Sequence, residues 1–497
     1  MYKKQNSRRV FLKQSVALIA AAGIEPVLRA GTEEMPDHKG LPEQLPDIDE
    51  EITRTRSDFI VYVPKSTDGS TADTGNEHFL VFPGPDGSLM AVWTQSTVEG
   101  HRDHRIMFSK SIDKGRTWAD PKFLVGVKAG QGDKISIPTS MWPGKWEMPP
   151  ERGLRQASWG YPLLSKSGRI YIVFNQFQGI VDVHYEMTGT MDAIYSDDYG
   201  LTWSKPQTIP MKRSIWDHPD PSKHPNWIVW QRPQPDLKGS WFTGFTRWIS
   251  PAVRHSSEGV DRWFRPEAVI EFMKYENIDD DPEPKDIRIS WFASDHRALR
   301  VPHFDQPALS IAEEPSIVRL PDNRLFCTMR TTTHYIWYSI SDDDGEKWSA
   351  PQPLLYHDHG KPIISPVFCT PVYRLSDGRY ILIHHPAYKT PDLRKKYNVP
   401  SGGESFGYVL NRRPAFIALG EYRPTSQQPI WFSKSKLFMD NDGVPLGPRG
   451  RVDTGGYGSL TSLDGENVFW HPDRKFFLLG KIITKEFLAD MKVPETI

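Results

Sequence analysis

Three stretches of the chain repeat one pattern: Ser111-Ile112-Asp113-Lys114-Gly115-Arg116-Thr117-Trp118, Ser196-Asp197-Asp198-Tyr199-Gly200-Leu201-Thr202-Trp203 and Ser341-Asp342-Asp343-Asp344-Gly345-Glu346-Lys347-Trp348. Each follows an apolar, β-prone run: Ile106-Met107-Phe108, Ala193-Ile194-Tyr195 or Ile336-Trp337-Tyr338. The residue types describe a hairpin turn, in which Asp bonds its own backbone, Gly supplies a positive φ and Trp packs back over the loop. A turn repeated in full implies a repeated structural unit.

Around these turns, strand pairs separated by Gly or Asp turns recur. They start at Phe79, Tyr161, Ser316, Pro371 and Tyr457, and a less regular unit lies between Trp227 and Phe292. Six units of about four strands each predict an all-β fold, a six-bladed β-propeller of four-stranded antiparallel blades. A seventh blade stays open at this point, and residues 52 to 64 are candidates for the strand that closes the ring. The 43 prolines, 37 glycines and 12 % aromatic residues fit many short strands and turns. No run of helical periodicity is long enough to define a helical domain.

The chain has 497 residues, 25 % of them charged, and a net charge of -1. That balance gives no electrostatic bias toward nucleic acid or an anionic membrane. The two cysteines, Cys327 and Cys369, are too few for a disulfide framework or a Cys-based zinc site, and read as buried thiols. No cofactor and no metal are expected, and a monomer is.

The N-terminus reads as an export signal. Ser7-Arg8-Arg9-Val10-Phe11-Leu12-Lys13 fits the twin-arginine motif, the apolar stretch Val16 to Ile24 is too short to span a bilayer, and Leu28-Arg29-Ala30 suits cleavage. Residues 1–30 are therefore expected to be a removable signal. Residues 31–50, acidic and Pro-rich, read as a linker or disordered arm, and 51–497 as a single propeller domain. Export by this route places the protein in the periplasm or outside a bacterial cell, with no membrane span once the signal is removed.

In a four-stranded blade the repeated turn joins the third strand to the fourth. The opposite face of the disc carries the start of each first strand and the loop after each second strand, and residues there converge on the central axis. At first-strand starts stand His78 (with Glu77), Trp159, Tyr161, Glu313, Glu314 and Tyr457; after second strands stand Gln95, Glu99, His101, Asp103 and His104, then Asn175, Gln176, Arg247, Arg330 and His384-His385, with Arg412-Arg413 before the next strand. Aromatic faces with polar groups suit a sugar ring, and converging arginines suit a carboxylate. A Tyr–Glu pair can act as an activated nucleophile, with another carboxyl as acid/base.

The repeated turn resembles the Asp-box of sialidases, and the resemblance extends further. Glu314-Pro315-Ser316 through Thr328-Met329-Arg330 looks like the sialidase stretch from the glutamate that assists the nucleophile to an arginine of the carboxylate-binding triad. Tyr457-Gly458-Ser459-Leu460 looks like the stretch that begins with the nucleophilic tyrosine, and His385 followed by Arg412 or Arg413 is similar to the segment bearing another triad arginine. The loop Glu99 to Asp103 sits where that family keeps its acid/base aspartate. An insertion falls at about 387 to 411. One departure stands out: sialidases begin the first blade with a triad arginine, and here the place reads Asn76-Glu77-His78-Phe79-Leu80. Arg247, Arg54 and Arg56 are candidate substitutes.

The resemblance implies a retaining exo-α-sialidase-like glycosidase acting on an acidic oligosaccharide or glycoconjugate. Tyr457 and Glu314 would form the nucleophile, and Asp103 or Glu99 the acid/base. Arg330, Arg412, Arg413 and Arg247 would hold the carboxylate, and Gln95, Trp159 and Tyr161 the ring. His78, whose charge is easily tuned near neutrality, suggests a second reading, a lyase or unusual glycosidase on uronic-acid-containing polysaccharide. A non-catalytic glycan-binding propeller is the third.

Overall fold

A computed structural model describes residues 47–131, 144–145, 148–236, 239–254, 267–303, 307–385 and 412–495. The signal, most of the arm and the insertion at 387–411 lie outside the described residues. Of the arm, Asp47 caps a four-residue helix, Ile48–Glu51, whose Glu51 Oε2 meets Arg474 at 2.5 Å.

Six antiparallel sheets form the blades of a propeller. Blade 1 runs Gly75–Pro83, Leu89–Ser96, Arg105–Ser111 and Lys122–Gly126, and blade 2 runs Ala157–Leu164, Ile170–Gln176, Thr190–Ser196 and Gln207–Thr208. Blade 3 splits its innermost strand into Trp227–Ile228 and Gln234–Pro235, then continues through Trp241–Trp248, Ala268–Tyr275 and Ile289–Phe292. Blade 4 comprises Ala312–Arg319, Leu325–Thr331, Trp337–Ser341 and Gln352–Pro353. Blade 5 comprises Val372–Arg374, Tyr380–His384, Ala415–Tyr422 and a split outer edge, Ile430–Phe432 with Lys436–Met439. Blade 6 runs Ser459–Leu463, Glu466–Asp473 and Phe477–Ile483, and Phe59–Tyr62 from the N-terminal side supplies its outermost strand. That strand, expected from 52 to 64, ties the ring shut. Among the described residues no helix is long and apolar enough to cross a membrane.

Second strands such as Leu89–Ser96 and Ile170–Gln176 are buried along their whole length. Both faces of a blade pack on neighbouring blades, so near-continuous apolar runs replace strict alternation.

The three repeated turns join third to fourth strands and share one hydrogen-bond pattern. In the first, Gly115 N donates to Ser111 Oγ at 2.8 Å, Thr117 N to Asp113 Oδ1 at 2.8 Å and Trp118 Nε1 to Gly115 O at 3.0 Å. The other two repeat this with Asp198–Thr202 and Asp343–Lys347. The bonds from Thr117 hold the Asp113 carboxyl down to about 2.

The glycine of each turn also packs against an aromatic ring of the preceding blade. A Cβ would stand 2.5 Å from Trp470 at Gly115, 2.6 Å from Phe108 at Gly200 and 2.5 Å from Phe242 at Gly345, and all three glycines have φ near +90°. Gly200→Ala therefore combines backbone strain with overpacking, and is expected to cost about 2–4 kcal/mol. A guanidinium unfolding midpoint equal to that of the parent would refute this inter-blade contact.

Candidate active site

Four innermost strands carry a non-glycine residue in the left-handed region where the strand begins. They are His78 (φ 51°), Trp159 (60°), Glu314 (47°) and Tyr457 (52°). The ladder registers slip at Glu77/Leu80, Ser158/Tyr161 and Glu313/Ser316, so each of those strands is bulged beside that residue. A bulge re-aims a side chain, and strained residues of this kind concentrate at functional sites. Neighbouring blades secure the distortion: Trp159 N donates to Thr94 Oγ1 at 3.0 Å, Glu314 N to Thr246 Oγ1 at 2.7 Å and Tyr457 N to Cys369 Sγ at 3.2 Å. Both cysteines are free, buried thiols.

Glu314, Arg330 and Tyr457 meet. Tyr457 Oη donates to Glu314 Oε1 at 2.8 Å, and Arg330 Nη1 donates to the same Oε1 at 2.6 Å and to Tyr457 Oη at 3.1 Å. Arg330 Nε lies 3.2 Å from Glu313 Oε2, whose other oxygen accepts from Trp248 Nε1 at 3.3 Å. Burial raises the Tyr457 hydroxyl well above the usual phenol range, and the Glu314 charge adds to it, so the phenol is neutral at rest. Burial likewise lifts Glu313 to about 7, against the pull of Arg330.

Aromatic rings wall the tyrosine: Phe368 at 5.3 Å, Trp159 at 5.9 Å and Trp230 at 6.1 Å, all edge-on. The indole N–H groups of Trp159 and Trp230 and Glu314 Oε2 are buried and hydrogen-bond to no described residue. Arg412 stacks 4.6 Å over Phe368 and donates to Val367 O at 3.1 Å. Lys475 Nζ stands 4.7 Å from the Tyr457 ring centre. It comes from the tight turn between Glu466–Asp473 and Phe477–Ile483, a second-to-third-strand loop that the sequence reading passed over.

Several sequence-predicted residues sit elsewhere. Arg413 turns away and pairs with both oxygens of Asp440, at 2.9 and 2.8 Å. Arg247 is buried between Asp217 (2.7 Å) and Glu271 (2.8 Å), while its neighbour Trp248 faces the site; adjacent strand residues point to opposite faces. Tyr161 Oη bonds Tyr275 Oη at 2.5 Å inside the core. Gln95 accepts from Arg105 at 2.9 Å and donates to Asn76 at 3.0 Å, inside blade 1. Arg54 pairs with Glu50 and Glu51 in the N-terminal helix.

Asp103 is consumed by Thr97 N (3.0 Å), Thr97 Oγ1 (2.7 Å) and His101 (2.6 Å), and these contacts hold its carboxyl down to about 2 despite its burial. An acid that keeps no proton near neutrality is a poor donor to a leaving group. Glu99 shares Lys475 with Glu77 and also pairs with Arg451. Those cations hold it ionised, well below the usual carboxylate range. His78 has no exposed surface, and its Nε2 donates to Trp230 O at 2.8 Å. Burial drops the ring to about 3, so it is a neutral strut across the axis. Its Nδ1 hydrogen-bonds to no described residue.

Beside Lys475 lie three more buried groups, Glu77, His104 and Glu186. Burial raises Glu77 to about 7 and Glu186 well above the carboxylate range, and lowers His104 to about 3.

Six four-stranded blades with three repeated Ser-x-Asp-x-Gly turns mark the protein as an Asp-box propeller. The chain belongs to the BNR repeat-like domain family, which it matches over residues 87–414. Its fold is similar to that of a protein of unknown function from Dyadobacter fermentans, at a TM-score of 0.51 and 13 % identity, covering 86 % of this chain and 98 % of that one. It is equally similar to an intramolecular trans-sialidase from Ruminococcus gnavus (TM-score 0.51, 13 % identity, 85 % and 97 % covered). A leech intramolecular trans-sialidase follows at 0.50 and 14 % identity, with 87 % and 70 % covered. No curated protein matches the chain by sequence. At these identities the likeness is one of fold.

Proposed function

We propose that the protein is a retaining glycoside hydrolase that removes an acidic sugar, of the sialic acid type, from a glycan exported proteins encounter. The observation that carries this reading is the Tyr457–Glu314–Arg330 triangle. Glu314 takes the phenolic proton as Tyr457 Oη attacks the anomeric carbon and the glycosidic C–O bond breaks, the departing oxygen taking its proton from solvent; water then cleaves the tyrosyl–sugar bond and Glu314 returns the proton to Tyr457, while Arg330, donating to both, stabilises the charge that passes between them. A neutral phenol approaches a substrate that carries its own carboxylate without the repulsion a carboxylate nucleophile would meet. Arg412 and Arg330 supply the cations for that carboxylate, Lys475 adds a third positive charge beside the ring, and Trp159, Trp230 and Phe368 offer apolar faces to the sugar. Two of the similar folds are trans-sialidases, which agrees with this substrate class. Asp103 is not retained as acid/base, for the reasons of geometry given above. Export by the twin-arginine route and a monomeric state complete the proposal.

The test is product analysis on sialylated and uronylated glycans. Release of free or anhydro sialic acid is the expected result. Unsaturated uronate product, or binding of sialylated glycans with no turnover, overturns the reading.

A further inference from the structure

We propose that Glu77, His104 and Glu186 form a binding site for a divalent transition-metal cation such as Zn2+ or Mn2+, adjacent to the Tyr457 site. The three ligand atoms come from separate parts of the fold. Glu77 lies on the bulged inner strand of blade 1, His104 directly before the third strand of that blade, and Glu186 in the loop after the second strand of blade 2. His104 Nε2 faces Glu186 Oε1 at 3.5 Å and Glu77 Oε1 at 4.0 Å, and all three ligand atoms lie within 4.8 Å of one another. One imidazole and two carboxylates are the mixed N/O donor set that zinc and manganese accept.

Two further observations point to a ligand. His104 is fully buried, and its Nε2 hydrogen-bonds to no described residue; the same holds for Oε1 of the buried Glu186. Buried polar atoms are normally satisfied, so a pair aimed at one point calls for a partner there. The surroundings also hold the groups as outer-shell contacts hold metal ligands. Ser158 Oγ lies 3.0 Å from His104 Nδ1, which orients the ring and leaves Nε2 free to ligate. Lys475 binds the far oxygen of Glu77 at 3.1 Å, leaving Oε1 directed at His104. Three protein ligands leave coordination positions for water or a substrate oxygen. The three positions, 77, 104 and 186, have no ligand spacing visible in the chain, which is why the sequence reading expected no metal.

The inference stands apart from the role of Tyr457 and is tested without activity. The full mature chain, stripped with EDTA, is titrated with ZnCl2 and with MnCl2 by calorimetry, and its thermal midpoint is followed in parallel. One equivalent of at least one cation is expected to bind and to raise the midpoint. Glu186→Gln, which keeps the volume and changes only the charge, should weaken binding about 100-fold, and Ser158→Ala about 10-fold through loss of ring orientation. Tyr457→Phe should bind as the parent does. Failure of both cations to bind stoichiometrically, binding of CaCl2 alone, or unchanged affinity in a folded Glu186→Gln variant overturns the proposal.

Discussion

Replacing Tyr457 by phenylalanine should lower turnover of a sialylated fluorogenic substrate by about 10³-fold or more, an effect of about 4 kcal/mol on the barrier. The substitution removes one oxygen and leaves the ring. The edge contacts to Phe368, Trp159 and Trp230 and the Lys475 contact survive, so the fold should not change. What is lost is the atom that donates to Glu314 and accepts from Arg330. An attacking group acts as a unit with its base, so Glu314→Gln should fall to a similar rate, and the double variant little further. Comparable rates for Tyr457→Phe and the parent, in a variant with the parent's thermal midpoint, would falsify the assignment of the nucleophile.

The largest stability effect is expected at Arg330. Its guanidinium binds Glu313 and Glu314 at once, all three groups being nearly inaccessible to water. Arg330→Met fills much of the space but leaves two carboxyls buried without their cation, which should cost about 3–5 kcal/mol. The loss should depend on pH in a definite sense. Glu313 already holds its proton up to about 7 because of burial, against the pull of Arg330, and removing Arg330 favours its neutral form further. A carboxyl whose folded pKa is raised contributes stability that is present at low pH and lost as pH rises through the folded value. The gap between variant and parent in guanidinium midpoint should therefore be small at pH 5 and largest near pH 8. A gap that is equal at the two values, or larger at pH 5, would mean that Arg330 does not hold these carboxyls.

Both effects concern residues visible in the chain before any coordinates. Glu314 and Arg330 flank one hairpin, and Tyr457 opens another well-marked strand pair two blades on, so blade counting alone brought them to the same face. The neighbouring choices were not visible. Arg412 and Arg413 are adjacent, as are Arg247 and Trp248, and a strand sends adjacent side chains to opposite faces. A shift of one residue in register thus decides which of each pair faces the Tyr457 pocket, and bulges at three of the inner strands change that parity locally. The charge of Asp103 and Glu99 was hidden for another reason. Proton affinity depends on partners such as Thr97, His101, Arg451 and Lys475, the last two distant in sequence.

The amino-acid sequence by itself determined a propeller built of repeated four-stranded blades, the position of the three Ser-x-Asp-x-Gly turns and the face opposite them, where Glu314, Arg330 and Tyr457 meet. These follow from local rules: turn residues, apolar runs and chain direction. Only the tertiary structure decided which polar groups on that face are free to act. It paired Arg247, Arg413, Gln95 and Tyr161 into the scaffold, turned His78 into a strut, and assembled Lys475, Glu77, His104 and Glu186 beside Tyr457. Burial and long-range pairing set the charge of each group, and those are properties of the folded ring that no single segment carries.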